Sequence, residues 1–262
     1  MPMSDEPILD DTPDDEELTA AEFEVNETDA GGIGLGVKII VGVVALAVIA
    51  ALVIPFLGNS QSSSEGVATT VAPSPQVDVP VAAPEATAQA DPGSPEAQFE
   101  LGNFYYQAGQ LGQAIDAYQK AIALNPNYQA AYANLGVVYY SSEQFDLATA
   151  QYEKALELDP QDGDVAYNLG ALYLQQALET VGQNELPDPQ LIDKAVNQLQ
   201  TAMEISPDLP EPHFTLGVAY LASNQQENAL QEFETFLAFD AASLDPRAVS
   251  EAERYLQLLK GQ

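Results

Sequence analysis

The 262 residues hold 40 Asp or Glu against 7 Lys or Arg, a net charge of -33, which argues against nucleic acid and anionic membrane surfaces as partners because both demand cations. There is no Cys and a single His, so disulfides, thiolate metal sites and a His-activated nucleophile cannot be assembled in the usual ways. The length allows one or two domains, and so acidic a chain favours solubility and basic partners.

Residues 1–32 are read as an acidic disordered tail. The first 30 carry twelve Asp or Glu and no Lys or Arg, with runs such as Asp14-Asp15-Glu16-Glu17 that repel one another. Few apolar groups are present to offset the entropy of ordering.

Residues 33–58 form the next unit. From Ile39 to Gly58 the chain is uncharged and almost wholly apolar, and these twenty residues as a helix match a bilayer core of roughly 30 Å. A cleaved signal peptide needs a basic leading region and a small-residue site, whereas here the leader is acidic and Phe56-Leu57-Gly58-Asn59 is a poor site. The reading is an uncleaved, single-pass transmembrane helix. Lys38, the one cation beside it, lies on its N-terminal side, which orients the tail to the cytoplasm and the rest outside. Gly32 with Gly36 and Ala47 with Ala51 are small-xxx-small pairs, which suit a homodimer through this helix.

Residues 59–94 are rich in Pro, Ala and Ser and are read as a linker. As a flexible coil it would span roughly 30–35 Å, holding the C-terminal part of the chain off the membrane.

From residue 95 a skeleton recurs. Leu101-Gly102, Leu135-Gly136, Leu169-Gly170 and Leu216-Gly217 are each followed by a Tyr three residues after the Gly (Tyr105, Tyr139, Tyr173, Tyr220), and the first three Leu are 34 apart. Asn125-Pro126, Asp159-Pro160 and Ser206-Pro207 end helices, because the residue before Pro is pushed out of helical geometry. A period of this size is the signature of stacked helical repeats.

The skeleton resembles the tetratricopeptide repeat, a helix-turn-helix unit of 34 residues. Repeat one matches that family at Leu101, Gly102, Tyr105, Ala114, Tyr118, Ala121 and Pro126, and repeat two at Leu135, Gly136, Tyr139, Ala148, Tyr152, Ala155 and Pro160. The resemblance implies an all-α, right-handed superhelical solenoid of about four repeats over 95–128, 129–162, 163–209 and 210–243. Repeat three carries about 13 extra residues between Ala177 and Gln190, expected to lengthen its first helix and add a loop, with Asp188-Pro189 opening its second helix. Repeat four has Phe236 and Ala241 where a small Ala and the closing Pro are expected. A last helix over 246–260 should cap the core through Val249, Ala252, Leu256 and Leu259, with Glu251, Glu253 and Arg254 facing water.

In the family, first-helix positions outside the core line a concave groove. Carried over residue by residue, these are Phe99, Asn103, Tyr106 and Gln107, then Ala133, Val137 and Tyr140, then Tyr167, Ala171, Leu174 and Gln175, then Phe214, Val218 and Leu221. The groove so drawn is apolar and aromatic with a few amides and no Lys or Arg, which suits an amphipathic helix or an extended apolar peptide. Members of the family that clamp a peptide carboxylate use cations there, so no such clamp is expected.

His213 is expected to pack, and Asp159, Asp162 and Asp164 to serve a turn, since they lack the spacing of a calcium loop. No catalytic, cofactor or metal site is expected. The resulting expectation is a membrane-anchored scaffold for protein–protein interaction or complex assembly, by analogy of bacterial envelope type. Two alternatives stand beside it: a structural subunit of a membrane complex, and a recruiter whose acidic tail captures a basic partner.

Overall fold

The computed structural model describes residues 82–179 and 186–261. The acidic tail, the apolar stretch 39–58 and most of the linker segment lie outside these residues. Among the described residues there are ten helices and no strand: α1 Ala82–Ala90, α2 Pro95–Gln107, α3 Leu111–Leu124, α4 Gln129–Ser141, α5 Phe145–Leu158, α6 Gly163–Glu179, α7 Pro189–Ile205, α8 Glu211–Ala222, α9 Gln226–Leu237 and α10 Pro246–Lys260. Each packs on the next in chain order, and the first helices α2 and α4, and α6 and α8, also touch. This is the stacking of a tetratricopeptide-type solenoid, in which no pair buries its apolar face alone.

Local signals set the helix ends. Ser94, Asp188 and Asp245 cap α2, α7 and α10 by accepting backbone N–H groups, each followed by Pro in the first turn. Asp162 does the same for α6, accepting from the Val165 N–H at 3.0 Å. Asn125, Asp159 and Ser206 leave the helix with φ near -130°, as the following Pro requires. The turns inside repeats one, two and four close through left-handed residues, Gly109 (φ 71°), Glu143 (φ 57°) and Asn224 (φ 60°). There the Gln110, Gln144 and Gln225 N–H groups reach back to the Tyr105, Tyr139 and Tyr220 carbonyls, a Schellman closure.

The repeat skeleton is the core. A Cβ on Gly102 would lie 2.5 Å from the Tyr118 ring, on Gly136 2.6 Å from Tyr152, and on Gly217 2.7 Å from Phe233. The rings are fully buried against these bare glycines, and each contributes about 2–3 kcal/mol through burial. Ala114, Ala121, Ala148, Ala155, Ala195, Ala202 and Ala229 are buried on the second helices, where short side chains let the helices approach.

Three details depart from expectation. Residues 82–90, read as linker, form helix α1 against repeat one: Ala88 is buried with Ala97, Leu101 and Ala117. The Ala-rich composition of this stretch supports a helix once α2 and α3 offer a surface. On the cap, the buried line is Ala248, Ala252 and Tyr255, whose ring stacks on Phe233 at 5.1 Å, while Val249, Leu256 and Leu259 sit half-buried at its edges. Glu251 and Arg254, expected in water, are half-buried and paired at 3.2 Å. The large Phe236 that replaces a small residue fills the space between repeat four and the cap, 5.4 Å from the Phe214 ring. The extra residues of repeat three do extend its first helix, with Leu174, Ala177 and Leu178 buried in α6.

Candidate functional site

The first helices α2, α4, α6 and α8 present five carboxylates (Glu96, Glu100, Asp164, Glu179, Glu211) and neither Lys nor Arg. On this face the residues drawn from the sequence sit at different depths. Phe99, Asn103, Tyr106 and Leu221 are half-buried and Gln107 is exposed. Val137, Tyr140, Tyr167, Leu174, Gln175, Phe214 and Val218 are buried, as are Ala133 and Ala171. Most of the residues carried over as groove lining are thus held in the packing between repeats, where large side chains from neighbouring first helices meet. Tyr140 shows how, since its hydroxyl donates to Gln175 Oε1 at 2.7 Å across the α4–α6 contact.

The accessible part is the repeat-one end. Phe99 lies 5.7 Å from the Tyr118 ring and 5.1 Å from Tyr128. Asn103 Oδ1 accepts from the Tyr118 hydroxyl at 2.7 Å and from Asn134 Nδ2 at 2.8 Å, so two amides on adjacent first helices and a phenol on the second helix between them fix one another. The Tyr106 hydroxyl reaches Ser141 Oγ at 3.4 Å. Side chains locked in this way cost little entropy when a partner lands on them.

The field over the face is negative. Burial raises the Tyr118 phenol, and Glu100 adds to the shift; Tyr128 is raised by burial and then by Glu96 and Glu100. Tyr140 is pushed up to about 12 by burial and by Glu179. At the far end burial raises the Asp164 carboxyl, helped by Asp162, and burial raises Glu211, with Asp164 adding to it. Glu211 Oε2 has no hydrogen-bond partner among the described residues. It borders a cleft lined also by Tyr167, Phe214, Thr215, Phe236 and Asp245, whose volume of about 20 Å³ holds a water-sized group and no substrate.

The remaining singled-out residues have structural partners. His213 Nδ1 lies 2.7 Å from Glu232 Oε2, with its ring 5.6 Å from Phe239. Asp159 turns the chain by accepting the Gln161 N–H at 3.0 Å, and Asp162 also accepts from Gln129 Nε2 at 2.7 Å, tying α4 to α6. Sequence reasoning missed the Asn134 amide and the Tyr128 ring. Both lie at positions adjoining the groove that the family pattern does not count among its lining.

Family models described as tetratricopeptide repeats match residues 102–142, 130–162, 151–185 and 191–224. No functionally curated protein matches the chain. Among solved structures, the chain is similar to MamA, with 22% identity and a TM-score of 0.51 over 67% of this chain and 90% of that one. The MamA fragment 41–end from Desulfovibrio magneticus RS-1 gives 21% identity and a TM-score of 0.53 over 63% and 86%. At these identities the likeness concerns the fold alone.

Proposed function

Because the repeat domain belongs to the tetratricopeptide-repeat family, we propose that this chain is a scaffold that holds another polypeptide on its first-helix face. The observation that carries the reading is the locked cluster of Phe99, Asn103, Tyr106 and Tyr128, an accessible aromatic and amide surface with neither Lys nor Arg on any first helix. An aromatic floor and fixed amides suit the apolar side chains and backbone of an amphipathic helix or extended segment. The apolar stretch 39–58 anchors the scaffold in a membrane, and Lys38 orients the repeats to the outside.

The test is co-purification from membranes. Phe99→Ala with Tyr106→Ala should remove the partner while helicity is retained, and an unchanged partner sinks the reading. Deleting residues 39–58 should release the protein from the membrane fraction, and protease added to intact spheroplasts should remove the repeats.

A further inference from the structure

Asn103 stands two residues after the repeated Leu. The same place is held in the other repeats by Val137, Ala171 and Val218, all apolar and buried. Asn103 alone among them is polar, and it is half-buried at the accessible end of the face. Packing does not demand an amide there. In repeat two the counterpart of Tyr118 is Tyr152, and with Val137 in place of the amide its hydroxyl is buried without a hydrogen-bond partner among the described residues, yet the repeat still packs.

Asn103 is also held in one orientation. Its Oδ1 accepts from the Tyr118 hydroxyl and from Asn134 Nδ2, which turns the other end of the amide away from both groups. Nδ2 then offers two N–H donors that meet no acceptor among the described residues. It is not one of the fully buried atoms that lack a partner, so a ligand can reach it. On α2, Glu96, Phe99, Glu100 and Gln107 recur at spacings of three and four residues from it and share its side of the helix. Glu96 and Glu100 are exposed carboxylates, and no first helix carries Lys or Arg. An anionic acceptor such as a terminal carboxylate would be repelled here, whereas a neutral carbonyl would not.

We propose that Asn103 selects an extended, internal segment of the bound polypeptide by donating from Nδ2 to one of its backbone carbonyls, with a neighbouring apolar side chain seated on Phe99. This rests on the reading of the face as a binding surface. A helix satisfies its own carbonyls except in its last turn, whereas an extended segment leaves them free for a partner. Donors fixed before the segment arrives cost little entropy on binding.

The probes are three synthetic peptides carrying the same Leu and Phe residues. One is capped at both ends and kept extended by flanking Pro, one is stapled as a helix, and one is extended with a free C-terminal carboxylate. Their anisotropy is titrated with the full chain in lipid nanodiscs. The capped extended peptide is expected to bind and to move the Asn103 side-chain N–H resonances, which are identified by their loss in Asn103→Asp. That variant keeps an acceptor for Tyr118 and Asn134 while removing both donors. It should weaken the peptide by about threefold or more with the thermal midpoint little changed. Asn103→Val, which copies repeat two, should weaken it as much. Tighter binding of the helix or of the free carboxylate would overturn the inference, as would an extended peptide indifferent to both Asn103 variants. The binding face would still stand if Phe99→Ala with Tyr106→Ala weakened that binding. Binding of none of the three would overturn both.

Discussion

The Tyr105 hydroxyl donates to Glu85 Oε1 at 2.7 Å, and the two residues stand twenty apart in the chain. The same separation joins Tyr139 to Gln119, Tyr173 to Glu153 and Tyr220 to Gln200, always a first-helix Tyr and a polar residue on the preceding second helix. Glu85 thus occupies a second-helix position, and α1 stands where the second helix of a unit ahead of repeat one would lie. Glu85→Ala should cost about 1 kcal/mol and raise hydrogen exchange chiefly at the amides of residues 82–90. Unchanged exchange there would show that the bond does not hold α1.

Gly136 faces the Tyr152 ring so closely that an added Cβ would lie 2.6 Å from it, and the ring is fully buried with nowhere to retreat. Gly136→Ala should therefore destabilise by about 1–3 kcal/mol in denaturant unfolding, despite the helix propensity of Ala. A stabilised variant would contradict the packing described.

Glu143 holds φ 57° at the turn where repeat one uses Gly109 at φ 71°. A non-glycine residue pays about 1 kcal/mol for that conformation, offset in part by the greater unfolded freedom of glycine. Glu143→Gly should leave the thermal midpoint unchanged or raise it, while Gly109→Ala should lower it.

Burial pushes the phenols of Tyr140 and Tyr255 up to about 12 and raises Tyr118, Tyr152, Tyr167 and Tyr173 in the same direction. In the unfolded chain these groups ionise near pH 10, so above about that pH the folded state holds more protons and stability falls as pH rises. Asp164 and Glu211 act at the acid end. Their raised folded values mean that the stability gained by proton uptake is fully present below the unfolded carboxylate range and is lost as pH rises through the folded one. Asp164→Asn with Glu211→Gln should raise the thermal midpoint at neutral pH, and the difference from the parent should vanish near about pH 4.

The repeat helices were legible because their determinants are local. Leu-Gly, the spaced Ala residues and the Pro after each second helix act within one unit. Helix α1 escaped notice although Asp91-Pro92 precedes Asn125-Pro126 by the repeat length of 34, because no Leu-Gly pair stands 34 residues ahead of Leu101-Gly102. That the residues carried over fall on the first helices was also legible, from position within the repeat. Their depth was not. Whether Tyr140 stands open or lies buried depends on Gln175 of the neighbouring repeat, a contact set by the crossing of two helices and joining residues 35 apart in sequence. Nor does spacing alone tell that Ala248, Ala252 and Tyr255, and not their neighbours, form the line that meets Phe233.

The central claim is that the accessible end of the first-helix face holds a polypeptide. Its most direct measurement is site-specific photo-crosslinking in native membranes from Gln107, exposed on α2, compared with Ala150, exposed on the second helix α5. The account predicts one discrete polypeptide adduct from position 107, lost with Phe99→Ala, and none from position 150. Equal adducts from both positions, or an adduct from position 150 alone, would contradict it.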